Sequence, residues 1–156
     1  MIEYRQENTA EAIDDLAELV FKHAAETDIY QEYFKLDPDF DQYKQFVEMG
    51  IYRVFTARDK GELIGYTCFY VGANPHYKSI VYATNDILYV LPAYRDSGKA
   101  EVIRSLFSLA EEELKQEGVE VITLNMKSHL PFEKLAEYMG YDKAEIMYSK
   151  YLLGDK

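Results

Sequence analysis

Tryptophan is absent from this chain of 156 residues, and cysteine occurs once, at Cys68. One thiol excludes an internal disulfide and a cysteine-held metal cluster, and the three histidines have no spacing that makes a metal site, so no metal is expected. Proline is scarce, with four residues. There is no Pro/Gly/Ser-rich linker, internal repeat or low-complexity tract, so no domain boundary is drawn. No apolar run approaches the roughly 20 residues of a membrane-spanning helix. The opening residues Met1-Ile2-Glu3-Tyr4-Arg5 lack the basic start and apolar stretch of a signal peptide, so the expectation is a soluble cytoplasmic domain without a membrane partner. Positive charge is also short: 17 Lys+Arg stand against 28 Asp+Glu, a net charge of −11. Binding driven by counterion release from phosphates needs a basic surface, which excludes general nucleic-acid partners.

What is present is an apolar share of 48%, enough to fill a core and too high for a disordered acidic chain. Aromatic content rests on 15 Tyr and 8 Phe, read mainly as core and half-buried strand faces. A strand is expected over Ile2 to Gln6. Asn8-x-x-Glu11 resembles a helix start, and Ile13, Leu16, Val20 and Ala24 follow at helical spacing to about Glu26. A second helix runs from about Asp39 to Met49. Strands follow over Ile51 to Arg58 and Leu63 to Val71, joined by the turn Asp59-Lys60-Gly61. Gly72-Ala73-Asn74-Pro75-His76 reads as a break before a long strand, Ile80 to Val90. A helix from about Gly98 to Glu117 ends at Gly118. Val119 to Met126 reads as a central parallel strand, apolar on both faces. A short helix from Pro131 to Met139 and a last strand from Ile146 to Leu153 complete the series.

The most informative segment joins the long strand to the long helix: Val90-Leu91-Pro92-Ala93-Tyr94-Arg95-Asp96-Ser97-Gly98-Lys99-Ala100. A loop entering a helix N-terminus presents backbone N–H groups without intrahelical partners and the positive end of the helix dipole, a pocket for phosphate. Gly98 and Ala100 have little or no side chain to obstruct a ligand, and Arg95 and Lys99 add positive charge. The alternative is an ordinary strand-to-helix connection capped by Asp96 or Ser97.

This run resembles the acetyl-CoA-binding motif of the GCN5-related N-acetyltransferases, in which Val-x-Pro precedes Arg or Gln-x-x-Gly-x-Gly/Ala. Val90, Pro92, Arg95, Gly98 and Ala100 meet every marked position. The element order and Met139-Gly140-Tyr141 extend the resemblance over about Ile2 to Leu153. His76-Tyr77, Asn85 to Tyr89 and Lys127-Ser128-His129 resemble a phage-borne branch whose substrates are undefined. The resemblance implies a single α/β domain over residues 1–156, with a mixed, splayed β-sheet flanked by about four helices. It implies acetyl-CoA as co-substrate, with the pyrophosphate on Arg95, Asp96, Ser97, Gly98, Lys99 and Ala100 and the pantetheine arm along Leu88, Tyr89 and Val90. The implied reaction is direct attack of an amine on the thioester, without a covalent enzyme intermediate.

One feature of the family pattern is missing. Members place a Tyr on the last helix to protonate the leaving thiolate, but anchoring the pattern on Gly140 gives Ala136 and anchoring it on Asn125 gives Phe132. Tyr138 lies two residues from Ala136, about 200° round a helix, and points away. His129, in the loop before that helix, is the replacement candidate, because an imidazole titrates near neutral pH; the alternative is a surface or helix-capping histidine. Asp86 is a base candidate if it faces the cleft, and otherwise accepts a hydrogen bond from a neighbour.

The acceptor region, Glu26 to Glu48, interleaves acids with Tyr30, Tyr33, Phe34, Phe40, Tyr43 and Phe46. An acidic, aromatic rim attracts a small cationic amine or a protein's lysine or N-terminal amine. The alternative is two helices with solvated acids and buried rings. Two functions therefore stand: acetyl transfer to a primary amine, or a fold that has lost catalysis and binds a partner protein. Monomer and homodimer are both open.

Overall fold

The computed structural model describes residues 1–95 and 100–153. The chain falls into two units, Met1–Asn125 and Met126–Lys156. Among the described residues it contains five strands in a mixed, open sheet and four α-helices, an α/β architecture.

The first unit begins with β1 (Ile2–Gln6) and α1 (Ala10–Thr27). Thr9, not Asn8, caps α1: its hydroxyl accepts from the Ala12 N–H at 3.2 Å, while the Asn8 side chain accepts from the Val54 N–H at 3.0 Å. The polar run before the helix thus serves two elements at once. A 3₁₀ turn at Ile29–Glu32 leads to α2 (Phe40–Glu48), capped by Asp39. β2 (Tyr52–Asp59) and β3 (Glu62–Asn74) form a hairpin. Lys60 (φ 52°) and Gly61 (φ 86°) both take positive φ, as a two-residue type I′ turn requires.

The expected break at Gly72 to His76 narrows to a turn at Pro75-His76. Gly72 and Ala73 stay in the ladder opposite Tyr82 and Val81, and Asn74 shapes the turn by accepting from the His76 N–H at 2.9 Å. Pairing with a long partner overrides the breaker composition. β4 (Tyr77–Val90) is therefore longer than the sequence implied. α3 (Glu101–Gln116) follows, and β5 (Val121–Thr123) is shorter than expected, because its parallel ladder with β4 ends at Thr84 and Thr123.

The sheet order is β1-β2-β3-β4-β5, antiparallel except for the last pair. α1 and α2 cover one face with a cluster that includes Leu16, Leu19, Val47, Tyr52, Val54, Tyr66, Cys68 and Tyr89. α3 covers the other, where Phe55, Phe69 and Phe107 meet edge to face at centroid distances of 5.9 and 6.2 Å.

The second unit contains α4 (Glu133–Tyr138), which ends at Met139 and Gly140 (φ 92°). The strand expected over Ile146 to Leu153 does not form. Ladder hydrogen bonds need a neighbour, this unit contains no other strand among its described residues, and Met147 and Tyr148 are 83% and 89% exposed.

Candidate active site

The site is built around a bulge in β4. Cys68 of β3 pairs with Ile87 and Phe69 pairs with Asn85, which leaves Asp86 as the unmatched residue. One extra residue shifts the alternation of faces, so Asp86 and Ile87 both turn toward α1 and α2. Asn85 stays on the α3 face and fastens the bulge. Its buried amide donates to Thr67 Oγ1 at 2.9 Å, the Cys68 carbonyl at 3.1 Å and the Ile87 carbonyl at 3.2 Å.

The same place is where the sheet splays. Thr123 Oγ1 donates to Thr84 Oγ1 at 3.1 Å at the last rung, and Asn125 Nδ2 donates to the Asn85 carbonyl at 3.1 Å just beyond it. From there to Val90, β4 has no parallel partner among the described residues. The Leu91 N–H donates to Ile64 of β3, so by alternation the main-chain groups of Leu88 and Val90 turn to the open edge and those of Tyr89 to β3. Close approach of the two strands here depends on Gly65: a Cβ there would lie 3.0 Å from Val90 Cγ2 and 3.1 Å from the Tyr89 carbonyl oxygen.

Asp86 accepts a hydrogen bond from the Tyr52 hydroxyl at 2.7 Å through Oδ2. Burial raises its pKa above the usual carboxylate value, and the Tyr52 bond partly opposes that shift by favouring the charged form. Tyr43, from α2, and Tyr70, from β3, flank Tyr52 at ring-centroid distances of 5.1 and 4.8 Å. Burial raises the pKa of all three phenols and of the fully buried Cys68 thiol, so all four groups are neutral at pH 7.

A second cluster secures the start of the loop. Arg95 Nη2 lies 2.9 Å from Glu26 Oε2, Nη1 pairs with Oε1 of the same carboxylate, and Nε donates to the Val90 carbonyl. The guanidinium stands 5.1 Å from the centroid of the Tyr89 ring, and the Tyr89 hydroxyl donates to Glu26 at 3.1 Å. The hydrogen bond from Arg95 is the main reason the Glu26 carboxyl titrates below its usual range. His23 stacks on Tyr89 at 4.6 Å, with Nδ1 3.0 Å from the Tyr66 hydroxyl. The Arg95 N–H bonds to Pro92, and the Tyr94 hydroxyl donates to Asp59 at 3.0 Å. Asp96, Ser97, Gly98 and Lys99 lie outside the described residues. Ala100 is left-handed (φ 48°, ψ 39°), and α3 begins there without a side-chain cap.

Of the residues singled out in the sequence, Asp86 lies on the α1/α2 face at the splay, and Leu88 to Val90 form the open edge. His129 is exposed in the turn between Lys127 and Leu130 of the second unit. Phe132 is the N-cap of α4 and Ala136 lies within it, so neither position carries a hydroxyl. In the acceptor region, Phe40, Tyr43 and Phe46 pack against the core cluster, whereas Tyr33 and Phe34 are exposed. Tyr52 and Tyr70 carried no sequence signal, because nothing in their spacing connects them to Asp86. Among the described residues, no group of three or more His, Cys, Asp or Glu is placed to hold a metal, and no helix is long and apolar enough to cross a membrane.

An open mixed sheet with a bulge where it opens, followed by a helix whose start has no side-chain cap, defines the α/β class of the chain. The sequence model of the Acetyltransferase (GNAT) family matches residues 17–141, and the chain belongs to that family. No curated protein matches it. Among solved structures, it is similar to an aminoglycoside acetyltransferase from an uncultured soil metagenomic sample, in complex with sisomicin, at 13% identity and a TM-score of 0.74, covering 97% of this chain and 96% of that one. A predicted acetyltransferase from Clostridium acetobutylicum, solved with acetyl-CoA, shares 12% identity with a TM-score of 0.72 over 97% of both chains. A ribosomal-protein-alanine N-acetyltransferase from Brucella melitensis biovar Abortus 2308 shares 18% identity with a TM-score of 0.64 over 100% of both.

Proposed function

We propose that this chain transfers the acetyl group of acetyl-CoA to a primary amine, with Asp86 as the base. The observation that carries the reading is a half-buried carboxylate at the bulge, where β4 and β5 part. Acetyl-CoA fits the open β4 edge and the uncapped start of α3. Leu88, Tyr89 and Val90 would border its pantetheine arm, and the loop from Arg95 to Ala100 its pyrophosphate. When bound, it supplies an activated thioester. Asp86 then takes the proton that the amine loses as its nitrogen bonds to the acetyl carbon and the carbon–sulfur bond breaks. The departing thiolate takes its proton from solvent water.

The acceptor is a small cationic amine or a protein's lysine or N-terminal amine, and acyl groups longer than acetyl remain within the chemistry. The reading includes a cytoplasmic setting, and it keeps the resemblance to a phage-borne branch as a pointer to origin. A second reading, a family member without catalysis that binds a partner protein, draws on the absence of a hydroxyl at Phe132 and Ala136. Thiol release from acetyl-CoA separates the two. Asp86→Asn is expected to lower kcat/KM about 10²- to 10⁴-fold, the usual weight of general base catalysis, with CoA affinity unchanged. An equal rate in that variant rejects Asp86 as the base. Gly98→Glu is expected to abolish CoA binding, because it puts bulk and negative charge into the phosphate loop.

A further inference from the structure

Asp86 is tied on one side only. Oδ2 takes the Tyr52 hydroxyl, and no other bond to the carboxylate is made among the described residues. Since no buried side-chain polar atom there lacks a hydrogen-bond partner, Oδ1 reaches solvent. A half-buried carboxylate is often matched by a Lys or Arg, yet what shifts Asp86 is its own burial and Tyr52, and no cation among the described residues contributes. Around it stand three neutral phenol rings from three elements: Tyr43 of α2, Tyr52 of β2 and Tyr70 of β3. Phe46 extends the set at 6.2 Å from Tyr70. Aromatic side chains near an anion without a counter-ion make an environment that a cation completes. The acidic chain, with a net charge of −11, draws cations toward it.

We infer that Tyr43, Tyr70 and Asp86, with the buried Tyr52 holding the carboxylate in place, form a recognition site that takes the acceptor as a primary alkylammonium ion, one N–H bonded to Asp86 Oδ1 and the charge set against the Tyr43 and Tyr70 rings. This inference rests on the proposed acetyl transfer for its place in the reaction: the bound ammonium passes one proton through Asp86 to solvent before the nitrogen attacks, which leaves the carboxylate ionised to take the second as the carbon–nitrogen bond forms. It goes further in naming the charge state that binds and the residues that select it. A neutral alcohol or an amide of the same length lacks both the charge and the ammonium donor.

Calorimetry on the whole chain, with and without saturating CoA, tests the site. The probes are n-butylammonium, its N,N,N-trimethyl analogue and n-butanol. Both cations are expected to bind and the alcohol to bind at least about tenfold more weakly. Tyr70→Leu is expected to weaken the cations about 5- to 30-fold, the span of cation–π contacts removed from water. Asp86→Asn is expected to cost n-butylammonium more than the trimethyl ion, which has no N–H to donate. Circular dichroism confirms that each variant is folded, and Tyr70→Phe, which keeps the ring, is expected to retain cation affinity if Tyr70→Leu unfolds. Equal binding of alcohol and ammonium, or no binding of either cation, overturns the inference. Thiol release separates this outcome from failure of the enzymatic reading. Turnover that ignores acceptor charge removes the cation site and leaves the transferase. Cation binding without any turnover leaves the site and removes the transferase.

Discussion

Replacing Tyr52 by Phe deletes one hydroxyl and leaves a ring of the same shape between Tyr43 and Tyr70. That hydroxyl donates to Asp86 Oδ2 at 2.7 Å, a bond that stabilises the ionised carboxylate and so lowers its pKa against the opposing effect of burial. A hydrogen bond to a charged group contributes about 1.5–3 kcal/mol, and one pH unit corresponds to about 1.4 kcal/mol. Because Asp86 still reaches solvent through Oδ1, the lower end applies, and the expected shift is about one pH unit. The sign follows from the form that is favoured: without Tyr52 the protonated acid gains, so the base is lost at a higher pH. The other titratable groups coupled electrostatically to Asp86, Tyr43, Tyr66, Tyr70 and Cys68, are all held neutral by burial and do not ionise in this range. The assay is thiol release as a function of pH at low acceptor concentration. The acid limb of kcat/KM is expected to move up by about one unit in Tyr52→Phe, with the rate recovering at higher pH. An unmoved limb, or one displaced downward, refutes the assignment of that limb to Asp86.

Asp86→Asn carries a stability consequence opposite to its effect on rate. Asp86 keeps its proton more tightly in the folded chain than an ordinary Asp, which titrates at 3.8, so its contribution to stability falls as pH rises from that value through the raised folded pKa. The Asn variant is expected to melt at a higher temperature than the native chain at pH 7, with the difference closing near pH 4; a lower Tm at pH 7 contradicts this. Ala100, at φ 48°, occupies a left-handed conformation that costs an ordinary L residue roughly 1–2 kcal/mol. Ala100→Gly is expected to stabilise the chain by about 0.5–1 kcal/mol in urea unfolding, after the extra entropy of Gly in the unfolded state is set against it. Glu26→Gln releases Arg95 from its carboxylate and is expected to weaken CoA affinity about two- to fivefold by calorimetry, the range of a partly exposed ion pair. Unchanged affinity would show that the Arg95 anchor does not position the loop.

Local chemistry with a short reach was legible in the sequence. The tight turn at Asp59-Lys60-Gly61 and the stripe of α3 both rest on residues adjacent in the chain or one helical turn apart. Features set by a partner elsewhere were not. Gly72, Ala73 and Asn74 read as breakers, yet the ladder to β4 keeps them extended. The segment 146–153 has strand composition, but a strand exists only where another offers its hydrogen bonds. The face that Asp86 occupies depends on a bulge, and one unmatched residue reverses the alternation from which facing is inferred. Tyr52 lies 34 residues from Asp86, and Tyr43 and Tyr70 come from other elements, so the cluster around the carboxylate becomes visible only when α2, β2, β3 and β4 are assembled.

The central claim is acetyl transfer to a primary amine by a base at the bulge. Its most direct test is the rate of CoA release from acetyl-CoA with n-butylamine as acceptor, measured in parallel for the native chain and Asp86→Asn. The account predicts release that depends on the amine and falls about 10²- to 10⁴-fold in the variant. Amine-dependent release at the same rate in both proteins would contradict it.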